Sequence, residues 1–313
     1  MAEKTRSRRE RLEADAVLVA VTAIWGSSFV VVKSVLEVSP PFGFLFWRFL
    51  LAAVLTGFLA LGRRAGAGLL RDGLAAGLLL AAGMALQVLG QTETTASKAA
   101  FLTGLSVVLT PFAAYARTRR LPSLENGIGI ALASAGFFVL TFPRKGEPFE
   151  RGDMLMTACG VVFAFYIVEL AERSPRHDPV LFTGVQLATV MLAALGLMLA
   201  LRLLPLAGLH AAAVEARPVA WGGTFLWSVL YLGSIGAVGT FLGQTWAQSR
   251  MSATHAAIIF TLEPVFAALL AAWLLSERLE ARGFLGGALV LAGIVASEVR
   301  FRGKSSIPSS LSS

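Results

Sequence analysis

Apolar residues run along this chain in blocks of about twenty, separated by short polar stretches. A helix rises about 1.5 Å per residue, so about 20 apolar residues cross the hydrocarbon of a bilayer. Ten such blocks occur, at approximately 15–35, 41–61, 72–91, 98–116, 125–142, 153–171, 179–202, 219–243, 255–275 and 283–300. The stretches between them leave no room for a soluble catalytic or nucleotide-binding domain. The pattern predicts an all-α integral membrane protein with ten transmembrane helices. The first block follows a basic segment, "MAEKTRSRRERLEAD", as a secretory signal would, but it is too long for a signal core and many like it follow, so it reads as a retained span.

Composition agrees. Hydrophobic residues make up 56% of the 313 and charged residues 15%, and mean hydropathy is +0.72. The net charge of +8 would suggest nucleic acid in a soluble domain; here the basic residues cluster between apolar blocks, so the bilayer surface is the expected partner and nucleic acid is not. With the N-terminus in the cytoplasm, the inner segments hold seventeen of the 27 lysines and arginines and the outer ones nine, with Arg48 inside the second span. That bias places both termini in the cytoplasm. The one cysteine, Cys159, excludes an intramolecular disulfide and a disulfide-stapled secreted fold.

Sliding the chain against itself exposes an internal repeat at two offsets. At 138 residues Asp15 meets Asp153, Trp25 meets Phe163, Pro41 meets Pro179 and Arg48 meets Gln186. At 157, Gln87 and Gln91 meet Gln244 and Gln248, Lys98 meets His255, Leu105 meets Leu262, and Gly129 and Gly136 meet Gly286 and Gly293. Each half holds five spans, an odd number, so the second half enters from the opposite side. The expected organisation is a cytoplasmic tail (1–14), a first five-helix repeat (15–143), a linker (144–152), a second, inverted repeat (153–300) and a second cytoplasmic tail (301–313). Inverted repeats suit alternating access, with substrate at the midplane between the halves.

Three segments, "AIWGSSFVVVK" in the first span, "FWRFLLAAVL" in the second and "TLEPVFAALLAAWLLSERL" in the ninth, resemble the EamA type of the drug/metabolite transporter superfamily. The resemblance covers essentially the whole chain. It implies ten helices in two inverted halves and export of small metabolites, amino acids and their derivatives or drugs, across a bacterial inner membrane. It also implies an arginine at Arg48 whatever is carried. The departure from an even repeat is that Ser106 and Val107 stand where Glu263 and Pro264 stand in the second half.

Several polar residues fall within the spans. Pro264 leaves the carbonyl of Phe260 unpaired, so that face must look into protein or a cavity. A carboxylate at this depth is protonated, paired or in water; Glu263 is either a proton-coupling acid or a cap on broken backbone. Arg48 needs carbonyls, an acid or a substrate carboxylate. Gln87 and Gln244 could hold a zwitterion through amide donors and acceptors, whereas Gln91 and Gln248 read as boundary residues nearer the surface. Trp25, Ser28, Phe163 and Tyr166 occupy matching mid-span positions and could line a cavity. His255 and Lys98 read first as interface residues at the membrane faces, although His255 could exchange protons. Gly239 and Gly243, and Gly283 and Gly287, have the spacing of small-residue helix contacts, and Trp47, Trp221, Trp227, Trp246 and Trp273 fit interfacial belts or packing. "SERLEAR", from Ser276 to Arg282, reads as a solvated turn.

These features favour a secondary exporter of small amphipathic metabolites such as hydrophobic or aromatic amino acids. The alternative is a proton-coupled exporter of lipophilic cationic drugs. No G-x-x-x-x-G-K-[ST] is present to couple ATP. The compact pair His177 and Asp178 is the sole candidate for membrane-enzyme chemistry, with neither a nucleophile nor a second acid beside it, so no enzyme activity is expected. No cofactor or metal is expected, and one chain, with both halves fused, could act as a monomer.

Overall fold

A computed structural model describes residues 8–119, 124–141, 149–204, 209–263, 265–266 and 281–298. The elements are α1 (Arg8–Val38), α2 (Pro41–Leu59), α3 (Leu69–Thr92), α4 (Ala96–Thr118), α5 (Leu124–Thr141), α6 (Arg151–Arg173), α7 (Pro179–Leu203), α8 (His210–Glu215), α9 (Gly223–Gly233), a π-helical segment (Ser234–Gly239), α10 (Thr240–Gln248), α11 (Ala253–Phe260) and α12 (Ala281–Glu298). Among the described residues there is no strand. Seven helical stretches are long and apolar enough to cross a membrane, with Leu124–Val139 and Phe284–Ala296 as shorter apolar helices. The chain is an all-helical, multi-pass membrane protein. The expected eighth span is one stretch, Gly223–Gln248, which starts and ends later than its hydropathy suggested because its polar C-terminal turn, Gln244 to Gln248, is buried. The expected ninth span is described only at its start: Pro264, Trp273 and most of "SERLEAR" lie outside the described residues, as do most of the two tails.

Large apolar side chains on the perimeter, among them Phe58, Leu78, Phe112, Leu192 and Leu226, are exposed, the arrangement lipid favours and water does not. Inside, helix contacts rest on small residues. A Cβ on Gly77 of α3 would meet Thr189 of α7 at 2.8 Å, and one on Gly160 of α6 would meet the Leu102 carbonyl of α4 at 2.7 Å. The closest approach of glycine to backbone joins α5 to α12, where a Cβ on Gly136 would stand 2.6 Å from the Gly286 carbonyl and one on Gly293 2.7 Å from the Gly129 carbonyl. These are the glycines that the 157-residue offset pairs. Of the spaced glycines, Gly243 is packed closely, a Cβ there standing 3.0 Å from Val21 of α1, whereas Gly239 and Gly287 find only ordinary contacts, at 3.9 and 3.8 Å. Close backbone approach maximises dispersion between helices where lipid supplies no hydrophobic drive.

A second constraint lies at the start of α2. Its N-cap is Pro40, which offers no capping side chain, and Pro41 occupies the first turn, so its free amides need a partner from elsewhere. Glu215, at the end of the short helix α8, supplies it, accepting from the amides of Phe42 (2.8 Å) and Gly43 (3.1 Å). Arg202 of α7 lies 3.4 Å from the same carboxylate. Burial pushes the Glu215 carboxyl above its ordinary value, against the lowering pull of the two amides and Arg202.

Two outcomes follow from this packing. Gly136→Val should cost about 1–3 kcal/mol through overpacking, read as a lowered unfolding midpoint in detergent, while Gly127→Val, with nothing within 4 Å, should leave the midpoint nearly unchanged. At Glu215 the folded chain holds the proton more tightly than the unfolded chain, so stability should fall as pH rises past the ordinary glutamate value. Glu215→Gln should flatten that step in a midpoint-against-pH series.

Candidate functional site

Seven helical elements converge on one cavity of about 80 Å³, and all seven residues expected to touch a substrate line it: Trp25 and Ser28 on α1, Arg48 on α2, Gln87 on α3, Phe163 and Tyr166 on α6 and Gln244 on α10. Glu263 lines it as well. The wall repeats itself. Trp25 with Phe163, Ser28 with Tyr166 and Phe29 with Ile167 are 138 residues apart; Met84 with Phe241, Gln87 with Gln244, Thr103 with Phe260 and Ser106 with Glu263 are 157 apart, and all fourteen line the cavity. Aromatic rings form its apolar part: Trp25 lies 5.9 Å from Phe241 and 5.4 Å from Phe260, and Phe163 lies 6.4 Å from Tyr166.

Arg48 is 3% exposed. Its Nε donates to the Leu232 carbonyl and its Nη2 to the Gly236 carbonyl, each at 3.3 Å, and its guanidinium lies 5.1 Å from the centre of the Phe49 ring. Those carbonyls are at and just before the π-helical segment, where the wider turn disturbs the regular ladder and leaves backbone oxygens to be satisfied from outside the helix. Thr240 adds a hydroxyl to the same Gly236 carbonyl at 2.8 Å. Arg48 therefore ties α2 to the broken helix while it faces the cavity.

The glutamines form a polar end. Gln244 donates through Nε2 to Oε1 of Gln248 (2.8 Å), and Gln248 donates through Nε2 to the Ile167 carbonyl (3.1 Å). This chain fixes Gln244 with its Oε1 buried and without a partner. Gln91 was expected at the boundary; instead it is fully buried, lines the cavity, and neither its Nε2 nor its Oε1 has a partner. The backbone around it explains the burial, because Lys33 of α1 donates to the carbonyls of Gln91 (2.7 Å) and Thr94 (2.8 Å) and so covers the end of α3. Hydropathy along α3 contains no trace of a lysine arriving from α1.

His255 does not reach the cavity. It pairs with Asp15 of α1 at 3.0 Å, and its backbone amide is capped by Ser252 at 3.2 Å. Lys98, its counterpart at the 157-residue offset, pairs with Asp153 of α6 at 3.6 Å and is capped in the same manner by Thr95 at 3.2 Å. Asp15 and Asp153 are themselves a pair at the 138-residue offset, so the two contacts match partner for partner.

His177 and Asp178 have structural occupations. His177 Nε2 lies 3.0 Å from buried Asp72, which also accepts from Arg173 and Arg71. Asp178 caps α7 through the amides of Val180 and Leu181 and pairs with Arg63 at 2.6 Å. Ring contacts join Trp47 to Trp221 and Trp227 to Tyr231, and Trp246 lies under the guanidinium of Arg250, while Trp47, Trp221 and Trp227 remain exposed on the perimeter. Among the described residues, no group of three His, Cys, Asp or Glu could hold a metal ion.

Replacing Arg48 tests its tie to the helix. Arg48→Lys exchanges a two-donor fork for a point charge and should lower the unfolding midpoint by the equivalent of about 1–3 kcal/mol in ligand-free protein. An unchanged midpoint with loss of anionic substrates alone would assign Arg48 to binding.

Comparison with known proteins fits this geometry. A family model described as the EamA-like transporter family matches residues 13–142 and 150–297. Two proteins of Archaeoglobus fulgidus, both described as uncharacterized transporters, are similar along most of their length. One is 28% identical over 291 residues, covering 93% of this chain and 87% of the relative. The other is 26% identical over 293 residues, covering 89% and 95%. A solved crystal structure superposes with a TM-score of 0.71 at 19% identity, covering 92% of this chain and 97% of its own, which is a likeness of fold.

Proposed function

Because this chain belongs to the EamA-like transporter family, we propose that it is a secondary exporter of small amphipathic metabolites, hydrophobic or aromatic amino acids among them. In this reading ten helices form two inverted halves, residues 15–143 and 153–300, that alternate access to a common site. The observation that carries it is the cavity wall, to which both halves contribute residues at matching offsets. A site to which both halves contribute is the place that rocking of either against the other can expose to alternate sides. The matched contacts Asp15 with His255 and Asp153 with Lys98 support it further, since an inverted arrangement sets them on opposite faces.

In this reading the chain works in a bacterial inner membrane with both termini cytoplasmic, as a monomer, on a small-molecule substrate. Trp25, Phe163 and Tyr166 contact its apolar body; Ser28, Arg48, Gln87 and Gln244 contact its polar groups. A second reading is favoured by one specific observation, that Glu263 lines the same cavity. There a carboxylate could bind a lipophilic cation or a proton by turns, which makes a proton-coupled drug exporter.

Proteoliposomes loaded with a mixture of amino acids and lipophilic cations separate the two. Amino-acid efflux that ignores an imposed pH gradient, and survives Glu263→Gln, is the expected outcome. Cation efflux that requires the gradient and is lost in Glu263→Gln would replace it with the second reading.

A further inference from the structure

The cavity leaves a particular set of hydrogen-bonding atoms unsatisfied, and that set restricts what can fill it. Gln244 gives an amide hydrogen to Gln248, and Gln248 gives one of its own to the Ile167 carbonyl. The atom of Gln244 left with no partner is its acceptor, Oε1. Gln91 presents an acceptor and a donor nitrogen, all without partners and fully buried. A buried polar atom left unpaired is costly, so an occupant that pairs it gains and one that cannot is rejected. The rejection is sharper than an apolar pocket achieves by shape.

We propose that Gln91 and Gln244 form a two-ended hydrogen-bonding site for compact solutes carrying an N–H donor at one end and an oxygen acceptor at the other. Primary α-amino acids and small primary amides have that chemistry; N-permethylated or quaternary ammonium compounds do not. The donor is received by Oε1 of Gln244, and the acceptor oxygen by Nε2 of Gln91. Gln248 acts as a positioning residue, holding Gln244 in the accepting orientation. Size adds a second filter. A buried water needs about 10–15 Å³, so a cavity of about 80 Å³ takes only a handful of heavy atoms beside its aromatic wall. This inference rests on the transport reading and narrows its substrate class toward the small end.

The test compares L-serine, L-threonine and L-valine with their N,N,N-trimethyl betaines in counterflow by the full chain in proteoliposomes, with tetraphenylphosphonium as a cation that offers no donor. The expected result is flux of the primary amines, reduced about tenfold or more by permethylation. In Gln244→Leu the flux of the primary amines should fall toward that of the betaines, closing the gap the unaltered protein shows. The ligand-side comparison uses the unaltered protein, so it stands even where a variant does not fold. Betaines moving as well as the primary amines, or tetraphenylphosphonium moving alone, would overturn the hydrogen-bonding site and leave transport intact. Absence of flux for every probe would instead overturn the transport reading, and this inference with it.

Discussion

A guanidinium inside an apolar layer must be met by acceptors, and most of the backbone there is already paired within its own helices. Arg48 finds its acceptors where the helix between Gly223 and Gln248 widens into a π turn and its carbonyls at Leu232 and Gly236 become available. Neither feature is stable alone. The loosened helix needs an outside donor, and the arginine needs loosened backbone, so each accounts for the other. The cavity lies beside this tie, and the positions of Gln244 and Phe241 just beyond the π turn depend on it.

The rest of the molecule divides into two kinds of contact. Some helices meet through glycine and backbone, as α5 and α12 do at Gly136 and Gly293 and α6 and α4 do at Gly160, and such contacts tolerate almost no displacement. Others meet through side chains: aromatic rings and amide groups at the cavity, and, away from it, the charged pairs at the starts of α4 and α11. Long side chains can change rotamer and partner, whereas backbone in van der Waals contact can only separate.

Much of this was legible in the sequence, for identifiable reasons. Spans are written in hydropathy at the length of a bilayer, and the described helices follow the expected blocks. The repeat offsets pair residues that share one cavity wall, among them Trp25 with Phe163 and Gln87 with Gln244. What could not be read depends on contacts remote in sequence. The π turn has no compositional signature. Helix α8 has six residues, too few for periodicity, yet its Glu215 caps α2 from far along the chain. Gln91 looked superficial because distance along α3 was the available measure of depth, and that measure is blind to Lys33 covering it from α1. Pro264 raised the sharpest question in the sequence, and it lies outside the described residues.

Cys159, the chain's single cysteine, is fully buried, and its thiol donates to the Gly83 carbonyl at 3.3 Å. A thiol held this way in an apolar interior is shielded from aqueous electrophiles. The unmodified sequence is thus silent toward water-borne maleimides and spin labels. Any cysteine introduced elsewhere reports on its own position, with no need first to strip the native residue from α6, where it packs at the heart of the helix bundle.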